Sequence, residues 1–162
     1  MYPRTLVVLA LSGLLTSGLA VFSRANASPT TPMLSSSAEL QEADVLYRQG
    51  ILQYEKGNLE AAIALYTDAL ELNPESAQAY AARAGAWGKL EEYEAAIEDY
   101  SSAIRLDEEL AAAYGGRGLA LSLKGELDAG VNDLWTAAQL FRAQDQLEEY
   151  FKTLAIIEDI AP

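Results

Sequence analysis

The segment AQAYAARAGAWGKLEEYEAAIEDYSSAIRLDEEL, residues 77–110, sets the pattern for most of the chain. Moved back by 34 positions it aligns with residues 43–76, and moved forward by 34 it aligns with residues 111–144. Similar residue types then recur in phase: Gly50, Ala84 and Gly118; Ala62, Ala96 and Gly130; Tyr66, Tyr100 and Leu134; Ala69, Ala103 and Ala137; Leu72, Leu106 and Leu140. A fixed period of this kind is typical of a stacked array of repeats.

Each copy divides into two amphipathic halves. In the central copy Tyr80, Ala84 and Trp87 are spaced i, i+4 and i+7, which places them on one face of a helix. Apolar residues recur at helical spacing again from Tyr93 to Leu106, and a short polar segment at 89–92 separates the two halves. Each copy is therefore predicted to be a helix, a turn and a second helix.

The three copies resemble the tetratricopeptide repeat family, in which a helix–turn–helix of 34 residues has small residues where its helices touch. In the first copy the matching residues are Leu46, Gly50, Ala62, Tyr66, Ala69 and Pro74. The resemblance implies an all-α fold, a right-handed superhelical solenoid of three repeats at 43–76, 77–110 and 111–144 within residues 38–144. The copies depart from the family pattern where Gln53 aligns with Trp87 and Leu121, and where Pro74 aligns with Glu108 and Arg142.

Helix-start signals flank the array. Ser36 and Glu39 have the spacing of a capping box, and Asn58 and Ser76 are good N-cap residues for the helices that follow them. The pair Asn73-Pro74 predicts the end of the second helix, because proline disfavours helix in the residue before it.

A further helix is predicted at residues 145–160. Asp145 with Glu148 fits a capping box, and Leu147, Phe151, Leu154 and Ile157 form an apolar stripe at helical spacing. Solenoids need such a terminal element to cover their last apolar face, so we expect a capping helix there, with Trp135 packed against it near Phe151 or Leu154.

The chain begins with the order of segments that is typical of export. One Arg stands in the first four residues, an apolar run follows at residues 5–22, and Ala25-Asn26-Ala27 comes next. This order predicts a signal peptide at residues 1–27, cleaved after Ala27, and a flexible Pro/Ser/Thr-rich linker at 28–37. The alternative is that residues 5–22 remain as a membrane anchor. The expected location is the bacterial periplasm or an equivalent lumen.

Charge and composition exclude several classes of function. The net charge is −13, and removal of residues 1–27 with Arg4 and Arg24 lowers it to −15. Such a surface repels nucleic acid and anionic lipid and attracts basic partners. The chain has no His and no Cys, and no acid–base–nucleophile set is recognisable. We therefore predict no enzyme activity, no metal and no cofactor, and no membrane contact other than the alternative N-terminal anchor.

The resemblance also implies a concave groove lined by the first helix of each repeat. The residues expected to form it are Tyr47, Arg48, Ile51, Tyr54, Ala81, Gly85, Gly88, Lys89, Gly115, Leu119 and Ser122, with Asp44, Glu55, Gln78, Ala82, Ala112, Gly116 and Leu123 on the same face. Tyr47, Ile51 and Tyr54 would form an apolar ridge beside a floor of small residues. Alternatively, Met33, Leu34 and Leu40 of the chain itself cover Tyr47 and Ile51.

The predicted function is a protein–protein interaction scaffold. A peptide segment or a helix of an unknown partner protein, basic or apolar in character, would lie on the floor against the ridge. Clamps for acidic C-termini in this family use Lys, Arg and Asn from the groove helices, and those positions here are Tyr47, Ile51, Ala82, Ala112 and Gly116, so an acidic tail is not expected. The alternative is a structural protein that associates with itself through a solenoid end or through Trp135, Phe141 and the last helix.

Two charge pairs are also predicted. The second and third copies have Arg83 with Asp99 and Arg117 with Asp133, whereas the first copy has uncharged residues at both places. When the three copies are aligned, these two positions change together, and this predicts contact between the two helices of a repeat.

Overall fold

The computed structural model of the chain describes residues 36–160, and all structural statements refer to that part. It contains seven α-helices and no strand. The helices are α1 (Ser37–Glu55), α2 (Leu59–Leu72), α3 (Ala77–Lys89), α4 (Tyr93–Leu106), α5 (Ala111–Lys124), α6 (Leu127–Ala143) and α7 (Leu147–Ile160). The predicted signal peptide or anchor, and all but the last two residues of the predicted linker, lie outside the described residues.

The helices stack in sequence order. Each packs against the helix before it and the helix after it, and α1 also contacts α3 while α3 contacts α5. The first helices of the repeats therefore form one layer and the second helices another, which is the predicted all-α solenoid. No helix in residues 36–160 is long and apolar enough to cross a membrane.

Small residues form the core because the helices approach one another closely. Ala62, Ala84, Ala96, Ala103, Ala113 and Ala137 are completely buried. The closest approach joins α5 to α6: a Cβ on Gly118 would lie 2.8 Å from the carbonyl oxygen of Gly130, and a Cβ on Gly130 would lie 2.7 Å from that of Gly118. The repeat columns of Gly and Ala are thus the contact surfaces between helices.

The predicted caps at Ser36 and Ser76 are confirmed. Ser36 Oγ accepts from the Glu39 amide at 3.2 Å, and the Ser36 amide donates to Glu39 Oε2 at 2.6 Å. Ser37 is accordingly the first residue of α1 and not part of the linker. Ser76 Oγ accepts from the Ala79 amide at 3.2 Å. α2 begins directly after Asn58, as predicted, but the Asn58 side chain makes no cap bond and instead donates to Gln53 Oε1 at 2.9 Å.

Two kinds of turn join the helices. Within each repeat the turn contains one residue in the left-handed region, at Gly57 (φ 80°), Glu91 (φ 63°) and Gly125 (φ 98°). Between repeats, Asn73 and Asp107 end their helices in extended conformations, and their Oδ1 atoms accept from amides two residues on, at 3.3 and 3.0 Å. Asp107 thus fixes a turn that lacks the proline of the first repeat.

The third repeat ends differently from the first two. Phe141 aligns with Asn73 and Asp107 but has no side-chain acceptor, and α6 continues to Ala143. The turn that follows is of the within-repeat kind, with Asp145 in the left-handed region (φ 58°). The predicted capping box of Asp145 and Glu148 is therefore wrong, and α7 begins at Leu147 instead of residue 145.

The last helix packs on the third repeat through only part of the predicted stripe. Ile157 of that stripe is buried, whereas Leu147 is 53 % exposed and Phe151 63 % exposed. Thr153, which was not in the stripe, is also buried. Tyr150 packs against a cluster of Ala111, Ala137 and Phe141.

Trp135, which the sequence predicted to pack against Phe151 or Leu154, remains half-exposed. Its side chain is 46 % exposed, and the α7 residue that borders the same cavity is Tyr150.

The predicted pairs of Arg83 with Asp99 and of Arg117 with Asp133 are confirmed, and each arginine also bonds to the preceding repeat, which was not predicted. Arg83 donates from Nε and Nη2 to the two carboxylate oxygens of Asp99 at 2.7 and 2.8 Å, and from Nη1 to Thr67 Oγ1 at 3.0 Å. One repeat later, Arg117 makes the same bonds to Asp133 at 2.6 and 3.0 Å and to Ser101 at 3.1 Å. Each guanidinium therefore holds together the two helices of its own repeat and the second helix of the repeat before it.

Candidate functional site

The first four helices form a cavity of about 410 Å³ on the side predicted to be the groove. It is lined by Ile51, Tyr54, Glu55, Tyr66, Ala81, Ala82, Gly85 and Tyr100. The structure thus brings together Ile51, Tyr54, Ala81 and Gly85 of the predicted site. We call this cavity the tyrosine groove, because three of its residues are tyrosines.

Tyr54 crosses from α1 to α3. Its hydroxyl oxygen is 3.7 Å from the place where a Cβ on Gly85 would lie, and Lys89 Nζ is 4.2 Å from the centroid of its ring. Gly85 and Lys89 are one turn apart on α3, so the Tyr54 ring spans that turn. A cation over an aromatic face is attractive, which places Lys89 at the edge of the groove.

Tyr66 and Tyr100 come from the second helices and were not predicted as site residues. The Tyr66 ring fills the space beside Gly50, where a Cβ would lie 2.5 Å from Cε1. The Tyr100 ring fills the space that a Cβ at position 116 would need, so Gly116 leaves room for it. The Tyr100 hydroxyl oxygen lies 3.5 Å from the place where a Cβ on Gly85 would be. The predicted floor of small residues is therefore filled in part by tyrosine rings. The sequence contained a signal for this arrangement, because Tyr66 and Tyr100 occupy the same position in their repeats and each faces a glycine on another helix, Gly50 and Gly116.

Tyr66 and Tyr100 of the tyrosine groove are protonated at neutral pH. Burial raises the pKa of Tyr66 to about 12, with smaller contributions from Tyr47, Tyr54 and Glu55. Burial also raises the pKa of Tyr100 to about 12, and nearby Tyr54 adds to it. Within residues 36–160, neither of these hydroxyls nor that of Tyr54 bonds to another residue. They can donate to, and accept from, the main chain of a bound peptide.

The other predicted site residues lie elsewhere on the first repeat. Tyr47 packs on Tyr66 with a centroid distance of 5.8 Å, and it borders a smaller cavity of about 90 Å³ together with Leu40. Leu40 is thus near Tyr47, as the covering alternative requires, while Met33 and Leu34 lie outside the described residues. Arg48 is exposed and pairs with Asp44 at 3.0 Å.

The predicted residues of α5 do not line the tyrosine groove. Ser122 Oγ donates to the Gly118 carbonyl at 2.8 Å and fills the space beside Gly130. A Cβ on Gly115 would have Ala137 of α6 as its neighbour, at 3.7 Å. Leu119 is exposed. Gly88 of α3 faces open space.

The described residues contain no cluster of three or more acids that could hold a metal ion. No side-chain polar atom that is fully buried among them lacks a hydrogen-bond partner. The one charged residue in the groove lining is Glu55. The lining of the site thus combines tyrosine hydroxyls, one aliphatic side chain and one carboxylate.

A layered stack of helix pairs with a groove on the face of the first helices defines a helical-repeat solenoid. Family models identify its repeats: one for the tetratricopeptide repeat matches residues 43–76, and a second, for the TPR repeat, matches residues 89–125. A search of the curated proteins found no match.

Solved structures similar to the chain are themselves TPR domains or share the fold. The second TPR of Spaghetti (RPAP3), bound to HSP90 peptide SRMEEVD, is 31 % identical, with 65 % of this chain and 99 % of that one covered at a TM-score of 0.62. The second TPR domain of human RPAP3, in complex with HSP70 peptide SGPTIEEVD, is 26 % identical, with coverage of 75 % and 96 % and a TM-score of 0.63. The Yersinia enterocolitica type III secretion translocator chaperone SycD is 19 % identical, with coverage of 77 % and 96 % and a TM-score of 0.72, and shows the fold alone. The chain belongs to the tetratricopeptide repeat family.

Proposed function

We propose that this chain is a protein–protein interaction scaffold that binds a segment of a partner protein in the tyrosine groove. The observation that carries the proposal is the pair of hydroxyls, Tyr54 and Tyr100, which both lie within 4 Å of the Cβ position of Gly85 and have no partner in the described part of the chain. Ile51 supplies an apolar wall beside them. The similar TPR domains of Spaghetti and human RPAP3 bind peptides, which supports the same use of the fold here.

The proposed ligand is a basic or apolar segment. Glu55 is the charged residue of the lining, and the cation nearest the groove, Lys89, is engaged with the Tyr54 ring. The net charge of −13 adds a long-range attraction for cations, which raises the association rate more than the affinity. We therefore expect peptide SRMEEVD, added as a defined probe, to bind no more tightly than a scrambled sequence.

Substitutions in the groove test the proposal. Ile51→Asp and Tyr54→Ala should each weaken partner binding by about 30-fold or more, because central apolar and aromatic contacts commonly contribute 2 kcal/mol or more. Leu52→Asp is the matched control: it adds the same charge to the next residue of α1, which is exposed and not part of the lining. The measurement is quantitative capture from the native compartment followed by titration, with helicity checked by circular dichroism.

Equal retention of the partner by the wild type, Ile51→Asp and Tyr54→Ala would contradict the groove proposal. Loss of binding in Leu52→Asp as well would move the binding surface to the exposed side of α1.

The proposal includes export to the bacterial periplasm or an equivalent lumen. Its support is the apolar run at 5–22 followed by Ala25-Asn26-Ala27. Intact-mass measurement on protein from the exporting cell should show a chain that begins at Ser28. A full-length chain found only in the membrane fraction would replace cleavage with an anchor at residues 5–22.

Self-association is the second candidate function. The observation that favours it is the exposure of Leu147 and Phe151, one turn apart on α7. Sedimentation of the wild type and of Phe151→Ser distinguishes the two functions. A mass that rises with concentration in the wild type and not in the variant, with no partner captured, would favour self-association.

A further inference from the structure

A second cavity, of about 490 Å³, lies between α6 and α7 at the other end of the array from the tyrosine groove. It is lined by Trp135, Ala138, Gln139, Arg142, Ala143 and Tyr150. Trp135, Gln139 and Arg142 are spaced i, i+4 and i+7 and so project from one face of α6. Tyr150 of α7 supplies the opposite wall. The volume is in the range of about 300–1,000 Å³ that is usual for ligand sites.

The chemistry of this cavity is opposite to that of the rest of the surface. The chain has 24 acidic residues, yet no acid lines the cavity, whereas Glu55 lines the tyrosine groove. Five other basic side chains in residues 36–160 pair with carboxylates: Arg48, Arg83, Arg117, Lys124 and Lys152. Arg142 pairs with none in that part of the chain. It lines the same cavity as the aromatic residues Trp135 and Tyr150.

The cavity arises from features of the third repeat alone. Thr67 and Ser101 accept hydrogen bonds from the arginines of the following repeats, but the residue in their column here is Trp135. α7 contains no arginine that could bond to this position as Arg83 and Arg117 bond to Thr67 and Ser101. Phe141 does not end α6, which continues to Ala143, so Arg142 lies in the last helical turn of α6. In the two earlier copies the aligned residue lies after the end of the helix, in the connection to the next repeat. These departures together place the half-exposed Trp135 and the unpaired Arg142 in the lining of one cavity.

We propose that this cavity is a second binding site, for a carboxylate that stands next to an apolar side chain in a segment of another protein. The carboxylate pairs with Arg142, which can bind it through two parallel hydrogen bonds, and Gln139 donates from its amide. The neighbouring apolar side chain packs between Trp135 and Tyr150. The carboxylate can belong to a C-terminus or to an acidic side chain, since both have the same chemistry.

Small peptides separate these sources. The probes are N-acetyl-leucyl-leucine as the free acid, the same compound as its C-terminal amide, and N-acetyl-leucyl-aspartate amide. Binding to the full chain is followed by the ¹⁵N indole NMR signal of Trp135, which Trp135→Phe identifies. We expect the free acid or the aspartate probe to bind at least about tenfold more tightly than the amide, as charge-assisted hydrogen bonds require. The tighter of the two identifies the source.

Substitutions assign the effect to the cavity. Arg142→Gln should reduce the affinity for the acid to that for the amide, while Arg142→Lys should retain part of the difference because it keeps the charge without the fork. Arg105→Gln is the matched control, since it removes the basic residue from the last turn of α4. Tyr54→Ala should leave this binding unchanged, so the result is independent of the tyrosine groove.

Equal affinity of acid and amide for the wild type would overturn the proposal, as would the same loss in Arg105→Gln. A wild-type mass that rises with concentration, and no longer does so in Arg142→Gln, would assign the cavity to a second copy of the chain and also overturn it.

Discussion

Removal of Arg83 should destabilise the array far more than removal of an exposed arginine. In Arg83→Gln, Asp99 loses two hydrogen bonds, of 2.7 and 2.8 Å, and Thr67 loses one of 3.0 Å. Asp99 is only 7 % exposed, so water replaces those bonds poorly. Arg48→Gln is the control, because the Arg48–Asp44 pair has side-chain exposures of 74 % and 54 %.

The magnitudes separate the two variants. Breaking a buried pair by removing one partner costs about 3–5 kcal/mol, and Gln keeps one donor, so we expect about 3 kcal/mol for Arg83→Gln. An exposed pair contributes about 0–1 kcal/mol, which bounds Arg48→Gln. For a chain of this size, a cost of 3 kcal/mol lowers Tm by about 10 °C.

Urea unfolding followed by circular dichroism measures both costs. A double-mutant cycle with Asp99→Asn isolates the pair, and a coupling above about 1 kcal/mol is expected for residues in direct contact. Equal costs for Arg83→Gln and Arg48→Gln, or a coupling indistinguishable from zero, would refute the argument that this bridge is buried and holds successive repeats together.

Other substitutions and pH give further tests. Gly118→Ala should destabilise because its Cβ would lie 2.8 Å from a backbone oxygen of α6, whereas Gly88→Ala, which faces open space in α3, should stabilise by about 0.5–1 kcal/mol in the same urea assay. Gly85→Leu should abolish partner capture without loss of helicity, because its side chain would fill the space between the groove hydroxyls; retained affinity would contradict the groove. Raised folded-state pKa values of about 12 for Tyr66 and Tyr100 predict full stability below pH 10 and a decline between pH 10 and 12, where the unfolded state loses its protons first. A chain whose alkaline unfolding is unchanged by Tyr66→Phe would count against this.

The solenoid could be predicted from the sequence because its determinants are local and repeat in phase. Columns such as Gly50, Ala84 and Gly118 indicate where helices touch, and the arginine–aspartate pairs follow from columns that change together. The caps at Ser36 and Ser76 depend on residues only three apart, so they could be predicted from a short stretch of sequence.

The details that were missed depend on how separate elements meet. Whether Tyr100 fills a core position or reaches the groove is decided by Gly116 on another helix, which leaves room for the ring. Asp145 is in the left-handed region and α7 begins at Leu147, which the capping pattern there did not indicate. The exposure of Leu147 and Phe151 depends on how α7 meets α6, which the spacing of the apolar residues within α7 does not specify.

Site-specific photo-cross-linking tests the central claim, that the partner lies in the tyrosine groove. A benzoylphenylalanine replaces either Ala82, which lines the groove, or Ala64, which is exposed on α2 and does not line it. Irradiation in the native compartment should give a covalent adduct with a partner segment from position 82, none from position 64, and none from position 82 when Ile51→Asp is also present. An adduct formed equally from position 64, or one that survives Ile51→Asp, would contradict the claim.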